Sequence, residues 1–246
     1  MINHASLFTG IGGFDYAAEQ VGWNNVFQVE NNGWCQNLLT RRFPDTDKYY
    51  DINLFDAKKY KGTIDVLSGG FPCQPSSHAG KREGKDDDRY LWDEMLRVIR
   101  ECQPGFVVGE NVAGLLTMDD GKLIDEIFDS LEGENYKWEA FVIPACAVGA
   151  PHRRDRIWIV AYSNSKRLEG CKRWSKNGPL EANKFSSFYG EWDRLPKPTI
   201  RRGDDGFSQR MDRLKGLGNA IVPDIAIELF RNIDLIIKNN NGGLNT

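Results

Sequence analysis

Ser6-Leu7-Phe8-Thr9-Gly10-Ile11-Gly12-Gly13-Phe14-Asp15 is an apolar run that enters a glycine-rich turn and leaves it as a helix. Glycine lets the backbone turn sharply and pass close to a ligand that any side chain would displace. The spacing is G-x-G-G, not the G-x-G-x-x-G that cradles a pyrophosphate. A second apolar run ends at Glu30, about twenty residues on, where a carboxylate can accept hydrogen bonds from two ribose hydroxyls. The pair suits an adenosine-containing cofactor, and it also suits a plain tight connection between strand and helix.

Working outward, short apolar runs recur at 5–8, 26–29, 66–68, 106–108, 141–143 and 157–161. Between them lie stretches of helical periodicity at 16–21, 34–42, 91–101 and 123–131. This alternation predicts an α/β fold, a mostly parallel sheet with helices on both faces. From Ser163 to about Gly206 the periodicity fades and Ser, Asn, Lys, Trp and Pro take over, which predicts a small irregular lobe. Ile221, Ile225, Leu229, Ile233 and Ile236 then return at helical spacing, with Pro223 suited to a first turn. The expected organisation is a body at 1–162, a lobe at 163–206, a segment at 207–238 that returns to the body, and a polar tail at 239–246.

The net charge of −3 would argue against a polyanionic partner, but it is unevenly spread. Residues 163–202 hold ten Lys and Arg against four Asp and Glu, so a basic lobe sits on an acidic body. Such a lobe is either a footprint for a polyanion or a solvated surface. The five cysteines are odd in number and include no C-x-x-C pair, so neither a disulfide framework nor a cysteine zinc site is expected. Three scattered histidines suggest no metal. No leader or membrane-crossing stretch is read, and a cytoplasmic monomer is the expectation.

Three further stretches carry chemistry. In Gly69-Gly70-Phe71-Pro72-Cys73-Gln74-Pro75-Ser76-Ser77 a cysteine flanked by prolines follows a strand. Structural cysteines more often sit within apolar runs, whereas a cysteine in a loop at a sheet edge is placed to react. In Phe106-Val107-Val108-Gly109-Glu110-Asn111-Val112 a carboxyl leaves the end of another apolar run. In a parallel sheet both would emerge on the ligand-binding edge, as nucleophile and acid/base. In Pro151-His152-Arg153-Arg154-Asp155-Arg156 two arginines stand two apart. In an extended chain they would point the same way and could clamp an oxygen, although an Arg–Asp surface cluster reads similarly.

In this order the blocks resemble the bacterial and phage DNA (cytosine-5)-methyltransferases along nearly the whole chain. They run from the glycine turn through Glu30, Asp51-Ile52, Pro72-Cys73-Gln74, Glu110-Asn111-Val112 and Arg154-x-Arg156 to Gly218-Asn219-Ala220-Ile221-Val222-Pro223. The resemblance implies a Rossmann-like S-adenosylmethionine-dependent methyltransferase fold acting on double-stranded DNA. Phe8, Gly10, Ile11, Gly12, Gly13, Glu30, Asn31, Asp51, Ile52 and Pro72 would hold the cofactor, with Glu30 on the ribose and Asp51 on the adenine amino group. Asn219 and Ile221 would close that pocket. Cys73 would be the nucleophile, with Glu110, Arg154 and Arg156 around the target base. Gln74, Ser77, Asn111 and Val112 would contact the substrate. Glu110 would need to be at least partly protonated, to support charge developing at the cytosine N3.

The chain also departs from the family pattern. His152 stands where Gln is usual, and the segment before Gly218, where sequence recognition usually resides, is short. An RNA cytosine-5 methyltransferase and a non-catalytic DNA-binding relative remain alternative readings.

Overall fold

The computed structural model describes residues 1–72, 91–164 and 220–242. Cys73, Gln74, Ser77 and Asn219, and nearly all of the expected basic lobe, lie outside the described residues.

The chain opens with β1 (Asn3–Leu7), α1 (Gly13–Gln20), β2 (Asn24–Val29), α2 (Gly33–Arg42) and the short β3 (Asp47–Tyr49). It continues with β4 (Val66–Gly69), α3 (Trp92–Cys102), β5 (Phe106–Val112) and α4 (Lys122–Gly133). Then come β6 (Tyr136–Pro144), β7 (Asp155–Ser163) and the C-terminal helix α5 (Pro223–Gly242). Among the described residues the strands form one sheet in the order β3-β2-β1-β4-β5-β7-β6. β1 to β5 pair in parallel, and β7 runs antiparallel to both β5 and β6. The antiparallel edge has a simple cause. The connection between β6 and β7 contains only a 3₁₀ turn, Ala145–Val148, too short for the crossover that a parallel pairing needs.

Each helix forms for local reasons. In α2 the side chain of Asn32 caps the start, Oδ1 accepting from the amides of Trp34 and Cys35 at 3.0 Å each. In α3, Asp93 and Glu94 occupy the first turn, and Trp92, Met95, Val98, Ile99 and Cys102 form a buried stripe at helical spacing. α3 and α4 cover one sheet face, where Leu67, Val107 and Ile159 meet Met95, Ile99 and Ile127. α1 and α5 cover the other, where Phe14, Ala17, Ile225 and Phe230 meet Val66, Val108 and Trp158.

Under α1 this second face carries a buried polar seam. His4 lies between Asn25 (Nδ1 to Oδ1, 2.7 Å) and Ser68 (Nε2 to Oγ, 2.8 Å). Ser6 Oγ donates to both carboxylate oxygens of Asp15 at 3.0 and 2.9 Å and contacts Thr9 Oγ1 at 2.8 Å. The seam supports the turn that follows β1.

β1 lies between the two directions of winding: β2 and β3 on one side, β4 and β5 on the other. The helices that follow β1 and β4 lie on opposite faces of the sheet, the arrangement in which such folds hold a ligand crevice at the carboxyl edge.

Candidate active site

Two clusters line that crevice. The first begins at the end of β1. Phe8 has φ 52, which is rare for a bulky residue, and Gly10 and Gly12 follow with φ 58 and 85. The turn is tied down by Thr9 N to Val29 O (3.1 Å) and Gly12 N to Thr9 O (3.0 Å). Gly13 opens α1, and a Cβ there would stand 2.6 Å from Ile221 Cγ1, so the C-terminal segment packs directly on the turn. That contact needs glycine. Glu30 is held between two amides, Oε2 accepting from Gly10 N at 2.6 Å and Oε1 from Asn32 N at 2.8 Å. Each oxygen keeps a further lone pair for a ligand hydroxyl.

Sequence reasoning missed Gln36. Its Nε2 donates to the carbonyls of Glu30 (2.7 Å) and Tyr49 (2.8 Å), fixing the ends of β2 and β3 together. Nothing in a lone Gln on an amphipathic helix signals this. Asp51 follows β3 with one carboxylate oxygen accepting from Asn53 N (2.9 Å) and Nδ2 (3.0 Å). Ile52 is buried beside it, and Asn31 is exposed. Thus the 10–13 turn, Glu30 and Asp51 stand in order at the carboxyl ends of three adjacent strands.

The second cluster is built on β4, β5 and β7. β5 runs further than the apolar run 106–108 suggested, because its antiparallel pairing with β7 continues to Val112 opposite Arg156. Glu110 is therefore a strand residue, not the start of a loop. Its pairing with β4 has already ended at Gly69–Gly109, so its side chain lies beside Gly70, whose Cβ would be 3.4 Å from Oε2. The Asn111 side-chain Nδ2 donates to Phe71 O at 2.9 Å, and its Oδ1 accepts from Val112 N. Expected as a substrate contact, Asn111 is here occupied in tying Phe71-Pro72 to the end of β5. Val112 is partly exposed at the strand end.

Arg156 Nε pairs with Glu110 Oε1 at 3.0 Å. Arg154 departs from expectation. It precedes β7 with φ 34, so the two arginines do not lie in one extended segment. Its Nη2 donates to Ala220 O at 2.7 Å, and its buried Nε has no partner among the described residues. Arg154 thus reaches the C-terminal segment while Arg156 reaches the carboxyl. Burial pushes the Glu110 carboxyl up to about 7, and the charges of Arg156 and Arg154 hold it from rising further. A carboxyl poised there exchanges its proton readily at neutral pH.

Among the described residues no group of three His, Cys, Asp and Glu side chains is placed to hold a metal, and no helix is long and apolar enough to cross a membrane.

Comparison with known proteins meets this geometry. The chain is 35% identical over 161 residues to the Type II methyltransferase M.Eco47II of Escherichia coli, covering 64% of this chain and 39% of that protein. It is 31% identical over 180 residues to M.HhaI of Haemophilus parahaemolyticus, covering 73% of this chain and 54% of that one. The chain thus spans about half or less of the length of these curated relatives. Among solved structures, a protein assigned as a DNA modification methyltransferase, encoded within an E. coli prophage, superposes with TM-score 0.57 at 28% identity, covering 66% of this chain and 47% of that chain. The S. pombe Dnmt2 methyltransferase shares the fold, with TM-score 0.57 at 21% identity over 74% of this chain and 59% of that chain. The sheet is that of S-adenosylmethionine-dependent methyltransferases. The profile of the C-5 cytosine-specific DNA methylases matches residues 2–201, from the first strand through the glycine turn, Glu30, Glu110 and Arg156, and the chain belongs to that family.

Proposed function

We propose that the chain transfers a methyl group from S-adenosylmethionine to carbon 5 of a cytosine flipped out of duplex DNA, with Cys73 as the nucleophile. The observation that carries this reading is the tie between Asn111 and Phe71. It brings the backbone two residues before Cys73 alongside a Glu110 poised to exchange a proton.

The cofactor would lie along the first cluster. Glu30 offers acceptors for its ribose, Asp51 for its adenine amino group, and the 10–13 turn and Pro72 would border it, with Ile221 behind. Bound there, it would supply an electrophilic sulfonium methyl group.

Carbon 5 of cytosine is a poor nucleophile. Addition of the Cys73 thiolate to carbon 6 pushes electron density toward carbon 5 and N3. Protonated Glu110 supplies a hydrogen bond or a proton at N3, and Arg156 steadies the carboxyl in either state. Once carbon 5 carries the methyl group, a base removes its proton and the C6–S bond breaks, releasing the thiolate. The base must leave the helical stack to reach Cys73, at a cost of a few kcal/mol. Gln74 and Ser77 stand beside Cys73 in the chain and would steady the extruded nucleotide. The basic stretch at 163–202 would meet phosphate.

The test uses duplex DNA carrying 5-fluorocytosine, incubated with the protein and S-adenosylmethionine. Fluorine cannot leave as a proton does, so the reaction should stop at a denaturation-resistant protein–DNA adduct that Cys73→Ser does not form. An adduct on similarly substituted tRNA alone would assign the substrate to RNA. No adduct on either would leave a non-catalytic binding module.

A further inference from the structure

The loop between β3 and the 3₁₀ turn Lys58–Tyr60 carries Asp51 and Ile52; Ile52, Phe55 and Ala57 are buried in the core, while the loop backbone makes few bonds of its own. Among the described residues β3 is a three-residue edge strand paired with β2 alone. Within the loop the backbone bonds are single turns, Leu54 N to Asp51 O at 3.2 Å and Phe55 N to Ile52 O at 3.3 Å. Tyr50 and Leu54 project into solvent.

The loop is instead braced from α3. Arg97 Nη2 donates to Ile52 O at 2.6 Å, and Nη1 donates to Phe55 O at 2.9 Å. Glu101 Oε2 accepts from Ala57 N at 2.9 Å. The guanidinium is aimed by carboxylates of its own helix, Nε to Glu94 at 2.8 Å and Nη1 to Glu101 at 3.0 Å. An ion pair serving only to stabilise a helix has no need of backbone carbonyls forty residues away. Arg100, one residue short of Glu101, offers the contrast: it pairs with the carboxylate of Glu134, just past the end of α4, at 2.6 Å and is largely exposed. Arginine suits the bracing role because its planar fork can hold two carbonyls and two carboxylates at once, whereas a lysine ammonium has three donors and no fixed plane.

We propose that Arg97 and Glu101 are positioning residues for the base end of the cofactor. They hold the 51–57 loop so that Asp51 and Ile52 meet the adenine already ordered. Without them, binding must order the loop and affinity falls by that cost. The inference rests on the reading of Asp51 and Ile52 as cofactor contacts.

The experiment measures S-adenosylhomocysteine binding to the full chain by calorimetry, with S-inosylhomocysteine, which lacks the base amino group, as a second probe. Asp51→Ala should weaken S-adenosylhomocysteine about tenfold or more and erase the preference between the two probes. Arg97→Met should weaken it about tenfold and shrink the same preference. Arg97→Lys, the gentler variant should Arg97→Met fold poorly, should fall between that and the parent. Arg100→Met should bind as the parent does. In methyl transfer, Arg97→Lys should raise KM for S-adenosylmethionine while kcat at saturation changes less than about twofold. If Asp51→Ala leaves both probes unaffected, the site reading fails and the inference falls with it. If Asp51→Ala weakens binding but Arg97→Lys and Arg97→Met do not, the bracing role alone is overturned. Equal losses in Arg97→Met and Arg100→Met would overturn it too, because the effect would then belong to the helix as a whole.

Discussion

Two buried glutamates stand at the same edge of one sheet and are held in opposite ways. Glu30 ends β2 and takes one backbone amide on each oxygen, from Gly10 and Asn32. Glu110 lies in β5 and has a side-chain partner, Arg156, with burial pressing against its charge. Amides are fixed, neutral donors, so the first arrangement presents a rigid acceptor. A guanidinium with a desolvated carboxyl makes a balance of opposing influences that a proton can tip. One residue type is thus set up by its surroundings for the recognition role proposed in one cluster and for the proton exchange proposed in the other.

The largest effect that would break the comparison is at Glu110. Glu110→Gln should slow single-turnover methyl transfer by about a hundredfold to ten-thousandfold, the usual range for loss of a general acid. In the proposed mechanism the active form is protonated and the folded value is about 7, so the parent's advantage over the Gln variant should be present below pH 7 and fall as pH rises through it. The Gln variant should lose that limb. A ratio of parent to Gln-variant rates that stays constant from pH 6 to 8 would remove the proton-exchange role.

Arg156 should matter next. Arg156→Met removes the 3.0 Å pair and leaves the carboxyl buried without its main counter-charge. The pH limb should then move upward, and the rate should fall by about tenfold to a hundredfold, as for loss of one preorganised donor. An unmoved limb would mean that Arg156 does not set the state of Glu110.

The two clusters also differed in how legible they were. The glycine turn and Glu30 announce themselves because a local conformation and a strand end at fixed spacing suffice. Glu110 was visible as a type and a position, but its strand context was not: β5 extends only because β7 returns antiparallel beside it. The same return undid the inference from Arg154-x-Arg156. Spacing of two gives one direction only in extended chain, and Arg154 has φ 34. Gln36, Arg97 and Glu101 were missed for a related reason. Each acts on backbone carbonyls or amides of other elements, and such partners leave no pattern in the sequence.

A smaller effect would test whether the C-terminal segment belongs to the first cluster. Gly13→Ala places a methyl 2.6 Å from Ile221 Cγ1, and moving Ile221 should cost about 1–3 kcal/mol of stability. Adding Ile221→Ala should recover part of that loss, giving a non-additive cycle in denaturant unfolding. Strict additivity would separate the turn from that segment.

The smallest effect, per pH unit, lies in the seam beneath the turn, where two buried groups oppose each other. Burial lowers His4 to about 4, so between that value and its ordinary 6.5 the folded protein holds fewer protons than the unfolded chain. The His4 contribution to stability therefore rises as pH rises through this window. Burial raises Asp15 from 3.8 to about 6, so across that interval the folded protein holds more protons, and its contribution falls as pH rises. From about pH 4 to 6 the two slopes have opposite sign and similar size, on the order of 1 kcal/mol per pH unit each. Relative to the parent, Asp15→Asn should gain stability as pH is raised from 4.5 to 6, and His4→Gln should lose it. The double variant should keep a nearly constant difference from the parent. The parent is the right reference because Glu110, also raised, adds a falling slope common to all four proteins. Slopes of the same sign in the two single variants would mean that one of these groups is not held in its neutral form. Since Ser6 and Thr9 join the seam to the glycine turn, the opposed pair leaves the stability of that footing with little net slope from about pH 4 to 6, below the value near 7 at which Glu110, in the second cluster, exchanges its proton.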